Sequence, residues 1–268
     1  MGKTVSKETA RSMALRGKPI EKYGLKFRAI PMERYEEWQR CKKVWLARQS
    51  TFPAFAISVS FLEALFRMDM RTLEETGKPG QCTYTAMYGI GMALGMESDC
   101  VQSGQIAIAA DEETREIKAI CVKTEDGGQA EITPGMFNTI RKIVAWMQGE
   151  ETPDETLNDE LLDAEQALAE RDAPKLKYDL TDLIAAVAAG SGQRIKDVLE
   201  WSILEFETMR RAIDRGKRHL ICGIGATNGC KWEGGNPCPS WCFDREKEGS
   251  SALISASKFG QTKTRRSD

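Results

Sequence analysis

The residues best equipped for chemistry in this chain are four cysteines close to its C-terminus. Cys222, Cys230, Cys238 and Cys242 fall in one short segment, and the single histidine, His219, lies just upstream. Four thiolates would satisfy tetrahedral zinc. The spacings are seven, seven and three residues, with no CxxC knuckle, and Cys222 sits inside the apolar run LICGIG. Structural cysteines in a packed C-terminal subdomain are therefore the first expectation, and a zinc site on these four is the alternative. Cys41, Cys82, Cys100 and Cys121 are scattered through apparent helices and strands. They read as small buried apolar residues of a reducing compartment.

Other chemistry finds less support. His219 sits near the end of a helical stretch, where a cationic side chain suits the last carbonyls. General acid–base work would need a positioned partner. The sequence contains no GxSxG, HExxH or GxxxxGK[ST] string. Gly89-x-Gly91 and Gly223-x-Gly225 each begin a dinucleotide fingerprint that neither completes. The carboxylates between Glu150 and Asp172 lack the DxDxDG turn of a calcium loop. The expectation is a protein that is not an enzyme, with no catalytic residue and no cofactor.

Bulk properties exclude further classes. A formal net charge of −2 gives no global attraction to nucleic acid or to an anionic membrane. The longest apolar run, Phe52 to Phe66, is interrupted by Ser58, Ser60 and Glu63 and is too short and polar to span a bilayer. The N-terminus lacks the apolar core of a secretory signal, so a cytoplasmic product is expected.

Periodicity places the elements. Tyr23 to Ile30 alternates as a strand. Met32, Tyr35, Trp38, Cys41 and Trp45 recur at helical spacing, with Pro31 as the first helical residue. Further helices are expected over 54–68 and 81–94, the second after the turn GKPG. Gln105 to Ala110, Ile117 to Val122 and Gln129 to Ile132 read as an antiparallel meander. Thr133-Pro134 starts a helix that carries Phe137, Ile140, Ile143, Val144 and Met147 on one face. Asp179 or Thr181 caps a helix stopping at Gly190, and a mostly continuous helix follows over 194–220.

The predicted fold class is α+β, mostly helical, with one small antiparallel sheet built from 23–30 and the meander, and with the helices of 31–94 packed on it. The predicted organisation is a flexible basic N-terminus (1–22), an α+β domain (23–149), an acidic linker (150–176), a C-terminal helical module (177–245) and a flexible tail (246–268). Trp232 and Trp241 flank a rigid Gly/Pro turn suited to core closure or to docking.

Four segments together carry a resemblance: YGLKFRAIPMERYEEW, EITPGMFNTIRKIVAWMQGEETPDE, DLIAAVAAGSGQRIKDVLEWSILEFETMRRAIDR and GNPCPSWCFDR. The chain resembles tail-morphogenesis proteins of siphophages and prophages of Firmicutes, both tail assembly chaperones and minor tail proteins. That resemblance implies a partner in the tape-measure or tail-tube protein, homo-oligomers as an option, and a place in the bacterial host cytoplasm or the virion tail. A chaperone of a helical tape measure needs apolar grooves. Trp38, Trp45, Trp201 and Phe206 are candidates to line one, or else they fill the protein's own core. The other functional reading is a zinc-containing nucleic-acid-binding or regulatory module, resting on the cysteine cluster and the basic chain ends.

Overall fold

The computed structural model describes residues 4–111, 113–114, 116–124, 127–153, 155, 168 and 179–229. It is an α+β protein with a two-stranded and a three-stranded antiparallel sheet.

The first element corrects the expectation of a flexible N-terminus. Helix α1, Lys7–Leu15, starts at Ser6, whose hydroxyl accepts from the Thr9 N–H. It buries Ala10 and Ala14 and packs on helix α6, Pro134–Met147. Two alanines one turn apart let the helices approach closely. Arg11 fastens the pair by donating to the Gly149 carbonyl at 2.9 Å and to Glu151 at 3.0 Å.

Strands β1, Ile20–Lys22, and β2, Leu25–Phe27, form a hairpin around Tyr23 and Gly24. Both turn residues have positive φ, 54° and 74°, which makes a type I′ turn whose twist matches the strands. The turn sends β2 straight back onto β1. Residues 23–30 therefore do not join the meander, and the expected single sheet is two. Past β2 the chain stays extended. The Arg28 N–H donates to the Ala93 carbonyl at 2.6 Å, and buried Ile30 donates to the Gln148 side chain at 3.0 Å.

Pro31 precedes a 3-10 turn, Met32–Arg34, rather than opening the α-helix itself. Helix α2, Tyr35–Trp45, buries Trp38, Cys41 and Trp45 at three- and four-residue spacing. The expected helix over 54–68 is two: α3, Ala54–Ile57, and α4, Phe61–Thr76, which Ser60 starts afresh by accepting from the Glu63 N–H. Helix α5, Cys82–Leu94, packs on α2 and α4. A side chain at Gly89 would place its Cβ 2.1 Å from the Trp45 Nε1, so glycine is what lets α5 lie against the indole.

The three-stranded sheet has the order β3 (Ile106–Ala110), β4 (Ile117–Lys123), β5 (Gln129–Ile132), as the meander predicts. Helices α4, α5 and α6 meet this sheet, whereas α2 packs on α5. The α6 face of Phe137, Ile140, Ile143, Val144 and Met147 is buried.

Helix α7, Leu180–Ser191, is capped by Asp179 and ends at Gly192, two residues past the expected stop. Helix α8, Ile195–Glu200, is separate from α9, Ile203–Thr227. Ser202 and Glu205 make the break. The Ser202 hydroxyl accepts from the Glu205 N–H at 3.1 Å, and the Glu205 carboxylate accepts from the Ser202 N–H at 2.9 Å. This reciprocal capping box starts a new helix.

The segment at this break also redraws the domain boundary. Met32 N–H donates to the Trp201 carbonyl at 2.7 Å, and Ile203 N–H donates to the Ile30 carbonyl at 2.9 Å. Asp179–Arg211 forms one compact unit with the described residues up to Glu155, and α9 beyond Arg211 belongs to a second unit. The expected module 177–245 is thus divided. The start of the expected linker is held on the first unit, by Lys42–Glu150 at 2.6 Å and by Glu155 accepting from the Gln49 N–H. Most of 156–178, and all of 230–268, lie outside the described residues.

These hydrogen bonds generate a prediction. With a site-specific protease site inserted between Glu155 and Asp179, the two halves should co-elute after cleavage on size exclusion. Separation of the halves under native conditions would show that the Ile30–Ile203 pairing does not hold them.

Candidate functional site

Among the described residues, three of the aromatics proposed for partner binding are buried. Trp38 and Trp45 are fully buried, 5.9 Å apart between ring centroids, and Trp45 continues to Phe137 at 5.7 Å. Phe206 is also buried. These three are core, which corrects their assignment to a groove. The 3.6-residue spacing that makes a partner-binding stripe also makes a core stripe, and here the protein's own helices fill it. Trp201 is half-buried and uses its carbonyl to hold Met32. Trp232 and Trp241 lie outside the described residues.

Arg141 is a charge buried against this core. Its guanidinium lies 3.6 Å from the Phe61 ring centroid and donates to the carbonyls of Trp45 and Ala47. The Trp45 carbonyl ends α2, where the last carbonyls lack a helical N–H and favour a cation, and the Ala47 carbonyl follows just past the cap. Burial pushes the Arg141 pKa down to about 10, with Glu155 opposing, and the group stays charged at neutral pH.

Of the proposed zinc ligands, Cys230, Cys238 and Cys242 lie outside the described residues. Cys222 is half-buried on α9. Among the described residues no group of three or more His, Cys, Asp or Glu side chains is placed to hold a metal. Burial raises the Cys41 thiol to about 12, and burial beside Asp69 raises Cys82 to about 11. Both are protonated at neutral pH and are poor nucleophiles. His219 is exposed on α9.

A polar cluster that sequence reading missed joins α2 to α5 and the loop after it. Arg34 donates to Glu37 at 2.8 Å, to the Met96 carbonyl at 2.7 Å and to the Tyr88 hydroxyl at 3.3 Å. Tyr88 donates to the same Glu37 oxygen at 2.7 Å. Burial works to raise the Glu37 carboxyl, but hydrogen bonds from Tyr88 and Arg34 outweigh it and hold Glu37 below the usual carboxylate range. Burial, first of all, raises Tyr88. The cluster is internally satisfied and ties two helices together. Its one sequence signal is the i, i+3 pair Arg34 and Glu37.

A cleft of about 420 Å3 beside α4 is lined by Phe55, Phe66 and Met70 with Arg67 and Arg71. Its cations are occupied. Arg67 pairs with Glu63 at 2.8 Å, while Arg71 pairs with Glu75 at 2.6 Å and lies 4.9 Å over Phe55.

The distal half of α9 is different. Leu220, Ile221 and Ile224 are 63%, 67% and 53% exposed, so they form an apolar ridge on one helix. Gly216 and Gly223 lie on the same stretch, and a Cβ added at either would meet nothing within 4 Å. Lys217 and Arg218 are exposed along it, Arg218 paired with Asp214 at 2.7 Å. Bare backbone between apolar side chains permits close approach of a second helix, and the flanking cations favour an acidic one.

Among the described residues no helix is long and apolar enough to cross a membrane. No protein-family model, curated protein or solved structure matches the chain.

The Glu37 cluster gives a pH prediction. A carboxyl held below its unfolded value, about 4.3 for glutamate, contributes stability that is present above that value. The contribution is lost as pH falls through the lower folded value. Chemical denaturation from about pH 7 to about pH 3 should show a steeper loss in the native protein than in Glu37→Gln. Parallel curves would remove Glu37 from the acid-labile set.

Proposed function

We propose that this chain is a non-enzymatic binding protein of phage tail morphogenesis that receives an amphipathic helix of the tape-measure or tail-tube protein on the distal half of α9. The observation that supports this reading is the exposed ridge of Leu220, Ile221 and Ile224 beside two uncovered glycines. The likeness of four sequence segments to tail-morphogenesis proteins supplies the class of partner.

Magnitudes set the kind of binding. Covering the exposed part of three large aliphatic side chains gives on the order of 3–5 kcal/mol. Association costs about as much or more before any affinity shows. The apolar ridge alone thus supports weak, reversible capture, and the cations around it must add steering and salt sensitivity. That profile suits an assembly factor that must release its client.

Co-expression with a tape-measure or tail-tube protein of a Firmicutes siphophage should give a co-purifying complex. Leu220→Asp with Ile224→Asp should abolish the complex without lowering the melting temperature, because both side chains are exposed. Failure of the native protein to bind either soluble partner, or full retention by the double variant, would overturn the reading. The alternative, a zinc-containing nucleic-acid-binding or regulatory module, predicts about one equivalent of zinc on Cys222, Cys230, Cys238 and Cys242 together with salt-sensitive DNA binding.

A further inference from the structure

A second cleft, of about 430 Å3, opens where the β1–β2 hairpin, the end of α5 and one end of the three-stranded sheet come together. Its size is that of a small-molecule site. Lys26, Arg28 and Lys123 line it, together with Gln105, Thr124 and one described carboxylate, Glu97.

The strand period puts two of these cations side by side. Leu25 and Phe27 point into the core, so Lys26 and Arg28 point out on the opposite side. Residues two apart on a strand are about 6.6–6.8 Å apart along the chain. Lys123 joins them from the end of β4, where its N–H is held by the Gln105 carbonyl at 2.9 Å. Some basic side chains elsewhere in the fold are spent on carboxylates, Arg34 on Glu37, Arg67 on Glu63, Lys118 on Asp111 and Arg194 on Asp197. Among the described residues, Lys26, Arg28 and Lys123 are in no ion pair, although Glu21 stands opposite Lys26 in the hairpin register.

Three cations against one lining carboxylate, Glu97, leave the described lining of the cleft net positive, which favours an anion. Thr124 and Gln105 add neutral donors. The backbone is open at Gly24 and Gly95, where an added Cβ would meet nothing within 4 Å. The C-terminus of α5 also faces this region and brings about half a negative charge. Its last carbonyls are already engaged: Gly91 by the Met96 N–H, Met92 by the Gly95 N–H, Ala93 by the Arg28 N–H. Three full cations outweigh Glu97 and that dipole together.

We infer that this cleft binds a phosphate-rich oxyanion, with Lys26, Arg28 and Lys123 as its charge-bearing ligands. The inference is independent of the partner proposed for α9. Sodium tripolyphosphate is the probe. Calorimetry at about 50 mM salt should show one-to-one binding that fades at about 500 mM salt. Replacing Lys26, Arg28 and Lys123 together by alanine should weaken it about tenfold or more. A glutamine triple variant, which keeps most of each aliphatic stem, should behave the same, and thermal melts should show both variants folded. Removing Lys43, Lys78 and Lys196, three exposed lysines elsewhere, should change affinity little. A single-stranded oligonucleotide that displaces the probe assigns the natural phosphates to nucleic acid, and one that leaves it bound assigns them to a small molecule; either keeps the site. Absence of binding at about 1 mM probe overturns the inference. So does retained affinity in the folded triple variants, or equal loss in the remote-lysine control.

Discussion

The architecture of the first unit depends on how one buried residue, Ile30, satisfies its backbone. Its N–H and C=O both lie away from water, and leaving either unpaired would cost about 1–3 kcal/mol. No regular strand flanks it to supply partners. The N–H is taken by the buried Gln148 side chain, and the C=O by the N–H of Ile203. Ile203 is the first residue of α9, and the first N–H groups of a helix have no internal acceptor. The helix start therefore creates the donor that Ile30 needs. The Ser202–Glu205 capping box fixes where that start falls, and so fixes the position of the donor. One short extended segment thereby joins parts of the chain far apart in sequence.

The same economy recurs at other element ends. Gln81 offers no side-chain cap to α5; Asp69 of α4 does so instead, accepting from the Cys82 and Thr83 N–H groups at 2.9 and 2.7 Å. Gly80 leaves room for that carboxylate, since a Cβ there would sit 2.2 Å from it. Glu63 of α4 accepts from the Ile117 N–H at the start of β4 at 3.0 Å. Arg141 of α6 closes the end of α2. At these three ends orphan backbone groups are met by charged side chains from neighbouring elements, so each of these caps is also a tertiary contact. Losing one such side chain would loosen an interface as well as fray an end.

This explains what sequence reading captured and what it missed. Helices with a large apolar stripe, such as α2 and α6, and the three alternating strands were legible because their signal is local. Thr133-Pro134 and Asp179 were legible as starts for the same reason. Helix α1 was not, because its buried face is two alanines, which contrast little with a charged surrounding. The separation of the hairpin from the meander depended on Tyr23, a residue rarely found at positive φ. The break before α9 did carry a local mark, Ser202-x-x-Glu205, which the surrounding apolar periodicity masked. The caps supplied by Asp69, Glu63 and Arg141 are long-range and leave no spacing to read. Of the candidate site residues, the sequence ranked Trp38, Trp45 and Phe206 by size and periodicity, which are the properties of core residues.

What the core aromatics give to function is rigidity, and binding must be sought where burial is incomplete. The distal half of α9 is costly as it stands. Each mid-helix glycine destabilises a helix by roughly 0.5–1 kcal/mol relative to alanine. At Gly89 that cost is offset, because the missing Cβ is what admits Trp45. At Gly216 and Gly223 no described atom occupies the space, while Leu220, Ile221 and Ile224 stand beside them in water. A helix selected only to be a helix would carry alanine at both positions and polar residues on the ridge. The arrangement becomes favourable when a second helix lies across it. Glycine then permits the close backbone approach seen between α5 and Trp45, and the aliphatic side chains leave water. The logic that packs the interior of this protein thus accounts for the most exposed aliphatic side chains among the described residues once a partner is present.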